Sequence, residues 1–207
     1  SLSIFTQFIV ISGIIQSIGF FSSTRSIERD LPNLSYKRKK ELFISYFYFL
    51  IKVFCCILIF IIILKIPIEK FFFKNLNPQF VLILIIVNSF NLFLNNIIKT
   101  WLRVSNQNKK LLKLRSKIFF SNLLSIVIIY SFNLKIFYSI LIIVILEFLI
   151  NFISILSNKL ILKEIRRKLF IRRTINYSFK SYPYALFIIY IFSFDKIIIT
   201  YFFEFSV

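Results

Sequence analysis

Basic residues alternate in number along this chain. Six long apolar blocks, Ile4–Ser22, Ile44–Leu64, Gln79–Ile98, Ile118–Leu134, Ile136–Ser157 and Tyr182–Phe203, are separated by connections that carry six, three, seven, one and eight Lys/Arg in turn. High counts on every second connection are the positive-inside pattern of a polytopic membrane protein. A spanning helix needs about 20 apolar residues, with a range of roughly 17–25, and each block reaches that length. The expected fold is therefore all-α: a polytopic transmembrane helix bundle of about six spanning helices.

Composition agrees with this. The chain has 207 residues, 58% of them hydrophobic, and a mean hydropathy of +0.84. Soluble domains hold about 45–50% apolar residues. The net charge of +19 suits a nucleic-acid partner only if a soluble basic domain carries it. Here 25 of the 27 basic residues lie in or beside the connections. The expected partners are membrane lipids, with no nucleic acid. The chain has no His, and Cys55 and Cys56 are adjacent, so they point to different helix faces. No metal site, disulfide or cofactor is expected. Ala occurs once and Gly twice, while residues with A/T-rich codons abound. Individual Phe and Asn residues therefore carry less weight than Arg.

The alternation gives a topology. Ser23–Phe43, Thr100–Lys117 with Lys99 at its edge, and Asn158–Ser181 should be cytoplasmic, with Lys65–Pro78 and the turn around Lys135 outside. The first block then descends from outside, which implies an ascending helix before it. With that helix, six precede the basic connection Asn158–Ser181. The expected organisation is residues 1–157 as a first lobe, 158–181 as an inter-lobe connection and 182–207 as the first helix of a second lobe. Paired six-helix halves are a recurring transporter architecture. Within the connection, Asn158–Arg173 reads as a basic amphipathic surface helix with Leu160, Ile161, Ile165 and Leu169 on its apolar side.

Polar groups inside spans are the candidate site residues. A charge at the bilayer centre costs at least about 2.5–3.5 kcal/mol on insertion scales. Lys52 lies in the second block. Glu147 lies near the middle of the fifth, with Asn151 four residues on and on the same face. Asp195 and Lys196 lie deep in the last block, about 100° apart around the helix. Asn88, Asn91 and Asn95 share one face of the third block, and Lys99 extends their stripe. Arg25 closes the first block, where its guanidinium suits a phosphate.

Three stretches are similar to a known family. ISGIIQSIGFFSSTRSIERD (11–30) is a glycine-containing apolar run closing on a basic residue, with Gly19 and Arg25 at matching positions. NNIIKTWLRVSNQNKKLLKLRSKI (95–118) leaves its helix through Arg103 and Asn106. NYSFKSYPYALFIIYIFSFDKIIITYFFEFSV (176–207) opens with tyrosine, serine and Pro183 and reaches Asp195 and Lys196 about twelve positions later. Together they resemble the bacterial O-antigen and polysaccharide flippases of the multidrug/oligosaccharidyl-lipid/polysaccharide exporter superfamily. That resemblance implies the N-terminal half of a two-lobed exporter plus the first helix of its second half, in the bacterial cytoplasmic (inner) membrane. It implies a non-enzymatic function: flipping a polyprenyl-pyrophosphate-linked glycan from the inner to the outer leaflet. A coupling cation, proton or sodium, is the implied second partner. Arg25, Lys52 and Lys196 would face the pyrophosphate, and Glu147 or Asp195 would titrate. Three other readings stay open: an ion-coupled drug exporter of the same superfamily, a purely structural membrane subunit, and a membrane glycosyltransferase or O-antigen polymerase. The latter usually needs a sizeable outer loop with catalytic groups, and the outer connections here are short.

Overall fold

A computed structural model of the chain describes residues 2–20, 24–63, 78–158, 160, 172–180, 182–184 and 187. Its helices are α1 Leu2–Phe20, α2 Thr24–Asp30, α3 Tyr36–Ile63, α4 Pro78–Val104, α5 Asn108–Ser131 and α6 Ile136–Ser157. A further helical segment covers 172–180. Among the described residues, every regular element is an α-helix.

Three of these helices are long and apolar enough to cross a membrane: Tyr36–Ile63, Leu82–Val104 and Tyr138–Ser157. That is fewer than the six apolar blocks. The described apolar stretch of the first, Phe8–Ile18, is shorter. The fourth belongs to α5, whose first turns hold Lys109, Lys110, Lys113, Arg115 and Lys117 and whose end falls at Ser131. Most of the last block, Tyr182–Phe203, lies outside the described residues, as does most of the expected surface helix Asn158–Arg173.

The basic connections are also more helical than their hydropathy suggests. α3 begins at Tyr36, so Lys37–Lys40 form its first turn rather than a loop. α4 runs on to Val104, and the lysines from Lys109 onward are already in α5. Lys and Arg are good helix formers, so the helix continues where the apolar run stops.

α4 is the hub: it packs against α1, α2, α3, α5 and α6. Of its membrane-length window, 61% is buried, against 29% for α3 and 28% for α6. Aromatic packing ties α3 to α4. Trp101 is fully buried, with its ring 5.1 Å from Phe43 and 5.9 Å from Tyr36. Further along the interface, Phe54 stacks on Phe93 at 4.5 Å. Offset and tilted pairs of this kind add about 0.5–1.5 kcal/mol beyond their area. The outer faces are apolar. On α6, Tyr138, Leu141, Ile145, Leu149, Phe152 and Leu156 are exposed at helical spacing. Opposite them, Ile140, Val144, Asn151 and Ile155 are buried.

Four hydroxyls inside this apolar bundle are satisfied locally. Ser89 donates to the carbonyl of Ile85, Thr100 to Asn96, Ser125 to Ser121 and Ser154 to Ile150. Each bond runs back one turn, so the hydroxyl needs no partner from another helix.

Two asparagines turn the chain between helices. Asn106 has φ 57° and Asn133 has φ 46°, both in the left-handed region. After α4, the N–H of Gln107 reaches the carbonyl of Leu102 at 2.8 Å and that of Asn106 reaches Arg103 at 3.0 Å. After α5, Leu134 bonds Ile129 at 3.2 Å and Asn133 bonds Tyr130 at 3.3 Å. Both ends are Schellman motifs with Asn where Gly is usual. In a chain with two glycines, Asn is the next residue that tolerates this conformation. Asn133→Ile should lower stability by about 1–2 kcal/mol, while Asn133→Gly should hold or raise it. Thermal unfolding of the purified protein in detergent checks this.

Candidate functional site

The polar face of α4 meets the polar face of α6. On α4, Asn88, Asn91 and Asn95 are buried; on α6, Asn151 is buried and Glu147 partly so. The spacing of each set puts it on one side of its helix, and α4·α6 packing turns the two sides inward. Asn91 Nδ2 donates to Glu147 Oε2 at 3.1 Å. Asn151 Nδ2 donates to Asn91 Oδ1 at 2.6 Å and lies 3.5 Å from the Asn91 carbonyl. The bonds run in one direction, from Asn151 through Asn91 to the carboxyl group.

This direction leaves acceptors over. Asn151 Oδ1 and Asn95 Oδ1 are buried without a hydrogen-bond partner. A buried amide oxygen left unpaired costs about 1–3 kcal/mol. The cluster is thus rich in oxygen acceptors around one carboxyl group. Chemically, it can take a proton, a hard cation or the hydroxyl donors of a polar solute. Among the described residues, no group of three or more His, Cys, Asp and Glu could hold a metal ion. Further along α4, Lys99 is partly buried.

The other candidates do not join this cluster. Lys52 is exposed on α3, whose buried positions Phe47, Leu50 and Phe54 face inward. Arg25 lies in α2, but its side chain is outside the described residues, and Asp195 and Lys196 lie outside them altogether. Cys55 and Cys56 carry free, exposed thiols.

A second charged assembly surrounds α2. Arg103 Nη1 donates to Glu28 Oε1 at 3.1 Å, joining α2 to the end of α4. Arg29 Nε donates to Asp30 Oδ1 at 2.8 Å, and Arg29 Nη2 to Asp30 Oδ2 at 3.2 Å. Arg173 Nε lies 3.7 Å from Asp30 Oδ2, and the Arg29 guanidinium sits 4.3 Å from the Tyr177 ring centroid. Asp30 and Arg29 therefore fasten the segment 172–180 to α2. The sequence held a signal for this: Glu28 and Asp30 are two of eight acidic residues in the chain, set within a basic connection.

Comparison with known protein families, curated proteins and solved structures finds no match for this chain.

The hydrogen bond from Arg29 holds the Asp30 carboxyl below the usual carboxylate range, with Arg173 adding to it and partial burial opposing it. A lowered folded-state value means Asp30 stabilises the fold above its unfolded value of about 3.9, and that the contribution fades as pH falls through the lower folded value. Asp30→Asn should therefore destabilise the protein at pH 7 and flatten its stability profile below about pH 5. Thermal unfolding in detergent from pH 7 to pH 3 tests this; parallel profiles for the two proteins would remove Asp30 from the α2 assembly.

Proposed function

We propose that the chain is the membrane-embedded lobe of a transporter that flips lipid-linked oligosaccharide across the bacterial cytoplasmic membrane. One observation carries the transport reading: an ionisable carboxyl group and acceptor-rich amides held together between two helices of membrane length. A carboxyl group in such a place is expensive and is usually kept for a solute or ion pathway. The substrate class rests on the family resemblance of residues 11–30, 95–118 and 176–207. In this reading the apolar outer faces of α3, α5 and α6 meet lipid, and the basic ends of α4 and α5 lie on the cytoplasmic side.

The mechanism needs no covalent chemistry. A central cavity shields sugar and pyrophosphate from hydrocarbon, and two lobes rock to open it to each leaflet in turn. Glu147 binds a coupling proton or cation. Asn91 holds its carboxyl group in place and is itself held by Asn151, and these bonds change when the charge of the carboxyl group changes. Lys99 supplies positive charge between this group and the cytoplasmic end.

The same bonds also suit a simple adhesive between two helices, since interhelical amides bind in apolar surroundings. Glu147→Gln separates the two readings, because a glutamine oxygen still accepts from Asn91. Coupling between two sites is typically worth about 1–3 kcal/mol, so loss of the ionisable group should lower glycan export roughly tenfold at unchanged membrane expression. Surface glycan display in cells carrying the variant gives the measurement. Normal glycan at normal expression would leave Glu147 as an adhesive only.

A further inference from the structure

Where α5 begins and α6 ends, a cleft of about 230 Å³ opens between them. Lys110, Lys113 and Lys117 line one wall, with Ser157 and Asn158 opposite and Leu114 among the lining residues. The lysines stand at i, i+3 and i+7, so they share one face of α5. Among the described residues, no carboxylate lines the cleft. The start of α5 aggravates this, because its first turn contains no acidic residue and the positive end of the helix dipole lies beside its lysines. The polar wall is already bonded inward: Ser157 Oγ and Asn158 Nδ2 both donate to the carbonyl of Ser154, at 3.0 and 2.8 Å. That carbonyl is therefore screened from the cleft. Among the described residues, what remains is a positive hollow without a carboxylate.

An apolar track leads away from it. Phe120 and Leu124 continue the lysine face of α5 by one and two turns, and Ile153 stands one turn before Ser157 on α6. All three are more than 40% exposed. A concentrated positive charge beside a strip of exposed apolar side chains matches a molecule with an anionic head and hydrocarbon tails.

We propose that this cleft binds the phosphate headgroup of an anionic phospholipid, with the acyl chains lying along Phe120, Leu124 and Ile153. The inference rests on the placement of α5 and α6 in a membrane, and not on the transported substrate.

The basic pair Lys37 and Arg38 provides a control, because their own hollow includes Glu41. The full chain, purified in detergent, is titrated with phosphatidylglycerol, with phosphatidylcholine and with soluble glycerol 3-phosphate, and bound lipid is counted by native mass spectrometry. Phosphatidylglycerol should bind at least about tenfold better than phosphatidylcholine, and Lys113→Gln with Lys117→Gln should remove that preference. Lys113→Arg with Lys117→Arg should restore it. Lys37→Gln with Arg38→Gln, an equal loss of charge, should leave it intact. Equal loss in this control would mean diffuse attraction and overturn the site. So would equal binding of phosphatidylcholine, or displacement of the lipid by glycerol 3-phosphate at matching concentration, which would mark a site for free phosphate. Failure of glycan export alone would not touch this result, since lipid binding is read without transport.

Discussion

The hydrogen bonds from Asn151 to Asn91 and from Asn91 to Glu147 lie between helices whose outer surfaces are almost wholly apolar. Packing among Leu, Ile and Phe tolerates sliding, because one apolar contact resembles the next. An amide bonded to a carboxyl group does not. Rotating α6 by one residue would turn Glu147 and Asn151 about 100° away from α4 and strand three polar groups. The bridge therefore sets the register of α4 against α6. Because α4 also touches α1, α2, α3 and α5, that register carries through to the rest of the bundle.

The two ends of the bundle differ in how their charges are handled. At one end, Glu28 pairs with Arg103, and Asp30 with Arg29 and Arg173, and so they bind α2 to α4 and to the segment 172–180. Among the described residues, the lysines of α5 at that end have no such partners lining their cleft. At the other end, the turn between α5 and α6 holds Lys135 alone, and its geometry is fixed by Asn133 rather than by charge. Structural ion pairs and open positive charge thus coexist within a few turns of helix, and only the second kind is available to an outside partner.

Much of the polar bridge was legible in the sequence. The face shared by Asn88, Asn91 and Asn95, and that shared by Glu147 and Asn151, follow from 3.6-residue periodicity. Their meeting does not, because periodicity describes one helix at a time and the choice of neighbours is tertiary. Basic residues were harder to place. Charge counting put Lys37–Lys40 and Lys109–Lys117 in connections, yet they form helical turns, since charge reports exposure rather than backbone conformation. Lys52 drew attention as a charge within an apolar block, but it sits on the outer side of α3. The α2 assembly escaped because its partners, Glu28 with Arg103 and Asp30 with Arg173, are far apart in sequence and carry no shared motif.

The proposed function requires α4, α5 and α6 to cross the membrane in succession, which is the arrangement that brings the Asn151–Asn91–Glu147 bridge into the hydrocarbon. α5 decides the matter, since its first turns are basic and its apolar part is short. Single cysteines at positions 109 and 135, made as Lys109→Cys and Lys135→Cys in a chain with Cys55→Ser and Cys56→Ser, report the two ends of α5 directly. A membrane-impermeant thiol reagent applied to intact bacterial spheroplasts should label position 135, and should reach position 109 only after the membrane is opened. Labelling of both positions from the same side would contradict the account, because α5 would then lie on one side of the membrane.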